Sequence, residues 1–161
     1  MTAKQEKTNV MRLLDAAETP YTPHEYDTAD GQIDARSMAR KIGKPEEQVF
    51  KTLVTQSNTG EFFVFVIPGN AELDLKKAAK ASSMKKIEMI PSRTLLPVTG
   101  YIHGGCSPLG MKKRFRTFLD ETAMLFDTIC VSGGRIGFCV EVAPPDLVSL
   151  VSAKYAPLTV E

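Results

Sequence analysis

Apolar and polar positions alternate along this chain with two periods, and the points where the period changes divide it into short elements. Val10, Leu13, Leu14 and Ala17 recur at helical spacing, which predicts a first helix over about residues 7–17, closed by Thr19-Pro20. A short extended segment follows from Tyr21 to Tyr26. Asp34 has the character of an N-cap for a helix bearing Ala35, Met38, Ala39 and Ile42, and Gly43 supplies the left-handed residue that ends it. Lys44-Pro45-Glu46-Glu47 begins another turn, with proline early and acids where the helix dipole favours them.

The middle of the chain switches to strand patterning. "VFKTLVTQ", the turn Ser57-Asn58-Thr59-Gly60 and the run "FFVFVIP" predict a hairpin. Its second strand is apolar on both faces and therefore central in a sheet. Asp74 can cap a basic helix from Leu75 to Ala81, and Pro91 opens a short helical stretch around Arg93 to Leu96. "RFRTFLD" and "TICVS" read as strands, Ser132-Gly133-Gly134-Arg135 as a turn into "GFCVEV", and Pro144-Pro145-Asp146 as the start of a closing helix through Leu147, Leu150 and Val151. Short strands in the middle with helices at the ends and in the gaps predict an α/β domain on a mixed, strongly curved sheet.

Composition narrows the class. At 161 residues with 43% apolar and 24% charged residues, the chain is expected to form one domain over residues 1–161, without repeats or linkers. The N-terminal stretch carries charges but no apolar core, and no run approaches the roughly 18 apolar residues of a membrane span, so a cytoplasmic protein without a membrane partner is expected. Cys106, Cys130 and Cys139 are an odd number at no framework spacing and are expected as reduced thiols.

Charge is uneven although the net value is only +1. Residues 76–116 hold ten Lys/Arg against the single acid Glu88, a net +9 that leaves −8 on the remainder. The stretch is either a set of solvated faces or a surface for a polyanion. The low net charge argues against bulk DNA binding.

Several candidate chemistries compete. Gly105 and Gly110 have the outer spacing of a phosphate loop, but Met111 stands where lysine is needed, which argues against a nucleotide triphosphatase. His103 and Cys106 could offer two metal ligands, but with His24 the only other histidine and no CxxC or HxxxH pattern, no metal is expected. Cys106 as a nucleophile needs a base or helix N-terminus to lower its pKa, and a small thiol packed under a loop is the simpler account. Lys51 sits inside the apolar run "VFKTLV", so its ammonium either snorkels at a sheet edge or points into a cleft toward an anion or carbonyl oxygen. Gly100, Gly104, Gly105, Gly110, Gly133 and Gly134 either make tight turns or let backbone N–H groups approach a ligand.

Six ordered segments, "EEQVFKTLV", "ELDLKKAAKA", "KKIEM", "TGYIHGGCSPLGMKKRF", "VSGGRIG" and "DLVSLVSAKYA", together resemble the YbaK/EbsC-like family, free-standing relatives of the editing domain inserted in prolyl-tRNA synthetase. The resemblance covers nearly the whole chain. It implies a curved six- to seven-stranded, barrel-like mixed sheet surrounded by helices. It also implies deacylation of mischarged tRNA, typified by Cys-tRNA(Pro), with no cofactor and with prolyl-tRNA synthetase as a candidate partner. Lys51 matches the family's essential lysine, which holds the aminoacyl ester or terminal adenosine. Thr52, Gly104, Gly105, Ser132, Gly133 and Gly134 would line the same pocket, and Tyr26 matches a tyrosine near its mouth. Lys76, Lys77, Lys80, Lys112, Lys113 and Arg114 would face acceptor-end phosphates.

In such a pocket the thiol of a misattached cysteine can attack its own ester carbonyl, giving a cyclic thiolactone and free tRNA, with the protein supplying orientation and oxyanion donors. Two positions depart from the family pattern. Cys139 stands where several relatives carry aspartate, and Cys106 where they carry an apolar residue, which counts against a nucleophilic role. Alternatives are an editor of another small residue such as alanine acting through water, or a non-catalytic nucleotide- or tRNA-binding module that regulates a synthetase.

Overall fold

The computed structural model describes residues 7–161; the first six, part of the N-terminal stretch read above for a leader, lie outside the described residues. Helix α1 (Asn9–Ala16) starts at Thr8, whose hydroxyl accepts from the Met11 N–H at 3.2 Å. Its buried stripe is Val10, Met11 and Leu14, while Leu13 is 40% exposed. Strand β1 (Tyr21–Glu25) leads to α2 (Ala35–Ile42), which ends in the left-handed Gly43 as expected. Asp34 occupies the N-cap position in extended conformation, but its side chain makes no capping hydrogen bond.

The hairpin consists of β2 (Phe50–Ser57) and β3 (Phe62–Pro68), paired so that Phe50 opposes Pro68 and Gln56 opposes Phe62. Then come α3 (Leu75–Ser82), capped by Asp74 through the N–H groups of Lys76 and Lys77, β4 (Ile87–Met89) and α4 (Ser92–Thr99). Strands β5 (Arg116–Asp120), β6 (Ile129–Ser132) and β7 (Phe138–Val142), helix α5 (Pro144–Val151) and β8 (Lys154–Ala156) complete the chain.

Among the described residues the strands form two sheets, one in the order β1-β7-β6 and one in the order β4-β2-β3-β5-β8. Strand β3 is central, antiparallel to β2 and parallel to β5, and every residue from Phe63 to Pro68 is buried. This matches the expectation of a mixed sheet with an apolar central strand. The strands expected in one curved sheet are divided between these two sheets, and no hydrogen-bonded barrel closes among the described residues. Strands β4 and β8, at the outer edges of the larger sheet, are three residues long and too short to show periodicity in the sequence. Between the two sheets the ladder is reduced to one parallel bridge, Val49 to Cys130.

The largest core cluster lies between α1, the inner face of β2 and β3, and β6 and β7, around Val10, Leu14, Phe50, Val64, Val66 and Val140. A second lies under α3, where Phe63, Phe65 and Phe118 pack with Ile67 and Leu158. Phe65 and Phe118 stack with centroids 5.5 Å apart, a geometry worth about 0.5–1.5 kcal/mol beyond buried area. Together the two cores clamp β2 and β3 from both faces. They leave one part of the sheet open, and that opening forms the site.

Candidate active site

Strand β2 is paired with β3 from Phe50 to Gln56, but with β4 only at Thr55, Gln56 and Ser57. Its first half therefore presents a free edge, and a cavity of about 510 Å³ opens there. Strand alternation sends Phe50 and Thr52 to one face and Lys51 and Leu53 to the other, and the cavity wraps the edge so that all four touch it. The remaining walls are the entry to α2 (Ile33, Asp34, Ala35, Arg36 and Met38), the turn after β3 (Gly69 to Glu72), Leu95 of α4, the loop after α4 (His103, Gly104, Cys106), and Ser132.

Lys51 is half-buried, and its ammonium makes no hydrogen bond or ion pair among the described residues. Burial lowers its pKa, the Glu72 carboxylate acts in the opposite direction, and the Arg36 guanidinium lowers it further. On the opposite face of the strand the Thr52 hydroxyl oxygen is buried without a partner. Unpaired polar groups in a folded interior cost about 1–3 kcal/mol each.

Two glycines make the cavity possible. Gly69 lets the start of α2 close on the sheet: a Cβ there would lie 2.3 Å from the Ala35 Cβ and 3.0 Å from the Val49 carbonyl oxygen. Gly104 has φ +88°, and a Cβ there would meet the Ile33 Cδ1 at 2.6 Å. Its loop rests on the one after β6, because a Cβ on Gly105 would lie 3.3 Å from the Ile136 nitrogen.

Of the residues singled out in the sequence, Lys51, Thr52, Gly104 and Ser132 meet at the cavity, while Tyr26, Gly105, Gly133 and Gly134 do not line it. Gly133 donates its N–H to the Phe138 carbonyl at 2.8 Å in a tight turn, and Gly134, at φ +92°, packs toward Val10. Tyr26 is 8% exposed in a small core with Met38, Val49, Cys130 and Cys139, and its hydroxyl is buried without a hydrogen-bond partner. Cys139 is fully buried, its thiol held neutral by its contact with Cys130 and by desolvation.

Cys106 does reach the cavity wall, but burial pushes its thiol up to about 12, so it contributes an apolar surface there rather than a thiolate. The basic positions are dispersed. Lys76, Lys80, Lys112, Lys113 and Arg114 are exposed, Lys77 is tied to the Thr159 carbonyl at 2.8 Å, and Arg114 lies 3.5 Å from the Leu150 carbonyl. Lys113 and Arg114 border a second hollow of about 460 Å³ near Leu13 and Val151.

Sequence reasoning missed Asp34, Arg36, Asn70, Glu72 and Leu95 as wall residues. Hairpin register held the signal for part of this set. With Pro68 opposite Phe50, the turn after β3 must fall beside the entry to β2, close in sequence to Lys51. It also missed a polar cluster on the smaller sheet. Glu141 accepts from Thr128 at 2.5 Å and Lys44 at 3.2 Å, and lies 2.9 Å from the His24 Nε2. Burial pushes this carboxyl up, but these three hydrogen bonds outweigh it and hold it at about 2. The Cys130 sulfur lies within 4.8 Å of both His24 and Glu141, and Lys44 already places a cation on the carboxylate.

Fold and cavity together define an α/β domain with an open cleft beside the first half of β2. The aminoacyl-tRNA editing domain model matches residues 32–150, and the chain belongs to that family. It is 46% identical over 155 residues to EbsC of Enterococcus faecalis, a protein assigned provisionally as a Cys-tRNA(Pro)/Cys-tRNA(Cys) deacylase; the match covers 96% of this chain and 94% of that one. It is 28% identical over 85 residues to the proline–tRNA ligase of Brachyspira hyodysenteriae, covering 53% of this chain and 15% of the ligase. Its fold matches the crystal structure of a provisionally assigned trans-editing enzyme for prolyl-tRNA synthetase, with TM-score 0.81, 21% identity and coverage of 97% and 100%.

Proposed function

We propose that this chain is a free-standing deacylase that removes mischarged cysteine from tRNA(Pro) in the cytoplasm, after release of the mischarged product by prolyl-tRNA synthetase. The observation that carries this reading is the Lys51 ammonium, which lines the cavity without a hydrogen-bond or ion-pair partner among the described residues. The family membership supports it as well.

In this reading the cavity receives the aminoacylated 3′ end, and Lys51 donates to the ester carbonyl oxygen. The substrate's own sulfur attacks that carbonyl carbon, forming the C–S bond of a thiolactone. The bond from carbonyl carbon to ribose oxygen breaks, and the thiol proton ends on the released 3′ oxygen. The negative charge that develops on the carbonyl oxygen is met by the Lys51 ammonium, with the backbone of Gly104 lining the same cavity. No protein nucleophile is needed, consistent with the neutral Cys106 thiol. Lys76, Lys80, Lys112 and Lys113 serve as phosphate contacts for the acceptor end.

No helix among the described residues is long and apolar enough to cross a membrane. The test is release of cysteine from Cys-tRNA(Pro) by the purified protein and by Lys51→Ala. Removing one oxyanion donor is expected to slow the reaction about 100-fold. Equal rates above background would remove Lys51 from the mechanism. Ser-tRNA(Pro), which replaces the attacking sulfur by oxygen, is expected to be left intact, and its deacylation at a similar rate would overturn the thiol-assisted route.

A further inference from the structure

The cavity wall carries a second unpaired charge besides Lys51. Its charged or chargeable side chains, apart from the neutral Cys106 thiol, are Asp34, Arg36, Lys51, Glu72 and His103. Arg36 approaches Glu46 at 3.9 Å, and Asp34 is held below the usual carboxylate range by the Ser37 hydroxyl at the start of α2. Glu72 differs from Asp34 in having no hydrogen bond or ion pair to its carboxylate among the described residues.

Its backbone, in contrast, is fixed. The Val160 N–H donates to the Glu72 carbonyl at 2.9 Å, and the next residue, Leu73, bridges Thr159. Glu72 lines the same cavity as Lys51, yet the two form no ion pair within 4.0 Å. The cavity thus holds an unpaired cation on β2 and an unpaired anion on the turn after β3, not in contact with each other. A ligand that fits between them carries a polarised oxygen at one end and a cationic nitrogen at the other.

We propose, building on the deacylase reading above, that Glu72 is the subsite for the α-ammonium group of the aminoacyl ester, so that Lys51 and Glu72 read the ester carbonyl and the amine of one substrate. The consequence is selectivity for free aminoacyl groups over acyl groups that lack the amine. Glu72 is then a specificity residue, and the thiol chemistry is left to the substrate and Lys51. Because Glu72 is exposed, the ion pair remains open to solvent on one side, which sets its scale at roughly fivefold in affinity.

The test uses two non-hydrolysable probes, 3′-amino-3′-deoxyadenosine carrying a cysteinyl amide or a 3-mercaptopropionyl amide, which differ only in the α-amine. Binding is measured by calorimetry at about pH 6, below the ordinary α-amino pKa of roughly 8. The wild-type protein is expected to bind the cysteinyl probe about fivefold more tightly. Glu72→Gln, a substitution at an exposed position, is expected to bind both equally, and Lys51→Ala to weaken both alike. Equal binding of the two probes by the wild type, or a preference that survives Glu72→Gln, overturns the role of Glu72 while deacylation of Cys-tRNA(Pro) still stands. If neither probe binds, the role of Glu72 falls together with the reading of the cavity as an aminoacyl site.

Discussion

Replacing Gly69 by alanine adds one methyl group at the junction between β3 and the start of α2. The new Cβ would lie 2.3 Å from the Ala35 Cβ and 3.0 Å from the Val49 carbonyl oxygen. Carbon atoms in favourable contact sit about 3.5–4.0 Å apart, so α2 or the turn must shift by more than about 1 Å. Neither neighbour can rotate away. The Ala35 Cβ is fixed to the helix backbone, and the Val49 carbonyl already accepts the Gly69 N–H at 2.7 Å. Overpacking costs about 1–3 kcal/mol, and with two rigid neighbours Gly69→Ala belongs at the upper end, about 3 kcal/mol.

Urea unfolding followed by far-UV circular dichroism is the assay. With a slope of about 2 kcal/mol/M, the midpoint is expected to fall by about 1.5 M. Adding Ala35→Gly to Gly69→Ala removes the tighter contact and is expected to restore about 1–2 kcal/mol, even though glycine in a helix costs up to about 1 kcal/mol by itself. A single substitution that moves the midpoint by less than about 0.25 M, or a double substitution no more stable than Gly69→Ala, would refute the steric argument. Because α2 also carries Arg36 and Met38 on the cavity wall, deacylation is expected to weaken in Gly69→Ala and recover in the double variant.

Three further outcomes are expected. The Glu141 carboxyl, held at about 2 when folded, contributes stability that is complete above its unfolded pKa of about 4.3 and is lost as pH falls through its folded value. Wild-type protein should therefore lose on the order of 2 kcal/mol between about pH 5 and 2 through this group, a loss that Glu141→Gln should remove from the acid-unfolding profile. Lys51 has a lowered pKa when folded, so its charge opposes folding at neutral pH and this penalty fades as pH rises through the lysine range. Lys51→Met is thus expected to raise the urea midpoint at pH 7 while abolishing deacylation, and an unchanged or lower midpoint would contradict it. Cys106→Ser is expected to keep deacylation within about threefold of wild type, and native Cys106 to resist iodoacetamide at about pH 8; rapid alkylation of this thiol in mass spectra would show that burial does not keep it neutral.

Much of the local structure was legible in the residues themselves. The helix from Ala35 to Gly43, the hairpin around Asn58, the Asp74 cap and the apolar central strand follow from periodicity and turn chemistry, which act over a few residues. Lys51 stood out because an ammonium inside an apolar run is costly wherever the chain folds. The two accounts offered for it, a sheet edge or a cleft, turn out to describe one place. The cavity lies at the unpaired edge of β2.

What the residues alone left open depended on contacts between distant segments. Glycine composition could not tell Gly104, which lines the cavity, from Gly133 and Gly134, which close a turn against Phe138 and Val10. The neutral state of Cys106, the fixed position of Glu72 beside Thr159 and Val160 near the C-terminus, and the union of His24, Lys44, Thr128 and Glu141 are likewise tertiary facts. Local patterning determined which elements form and which lysine would be expensive to bury. The packing of α2 and two glycine-bearing loops around a free strand edge decided what that lysine faces, because burial and charge pairing are set by neighbours remote in the chain.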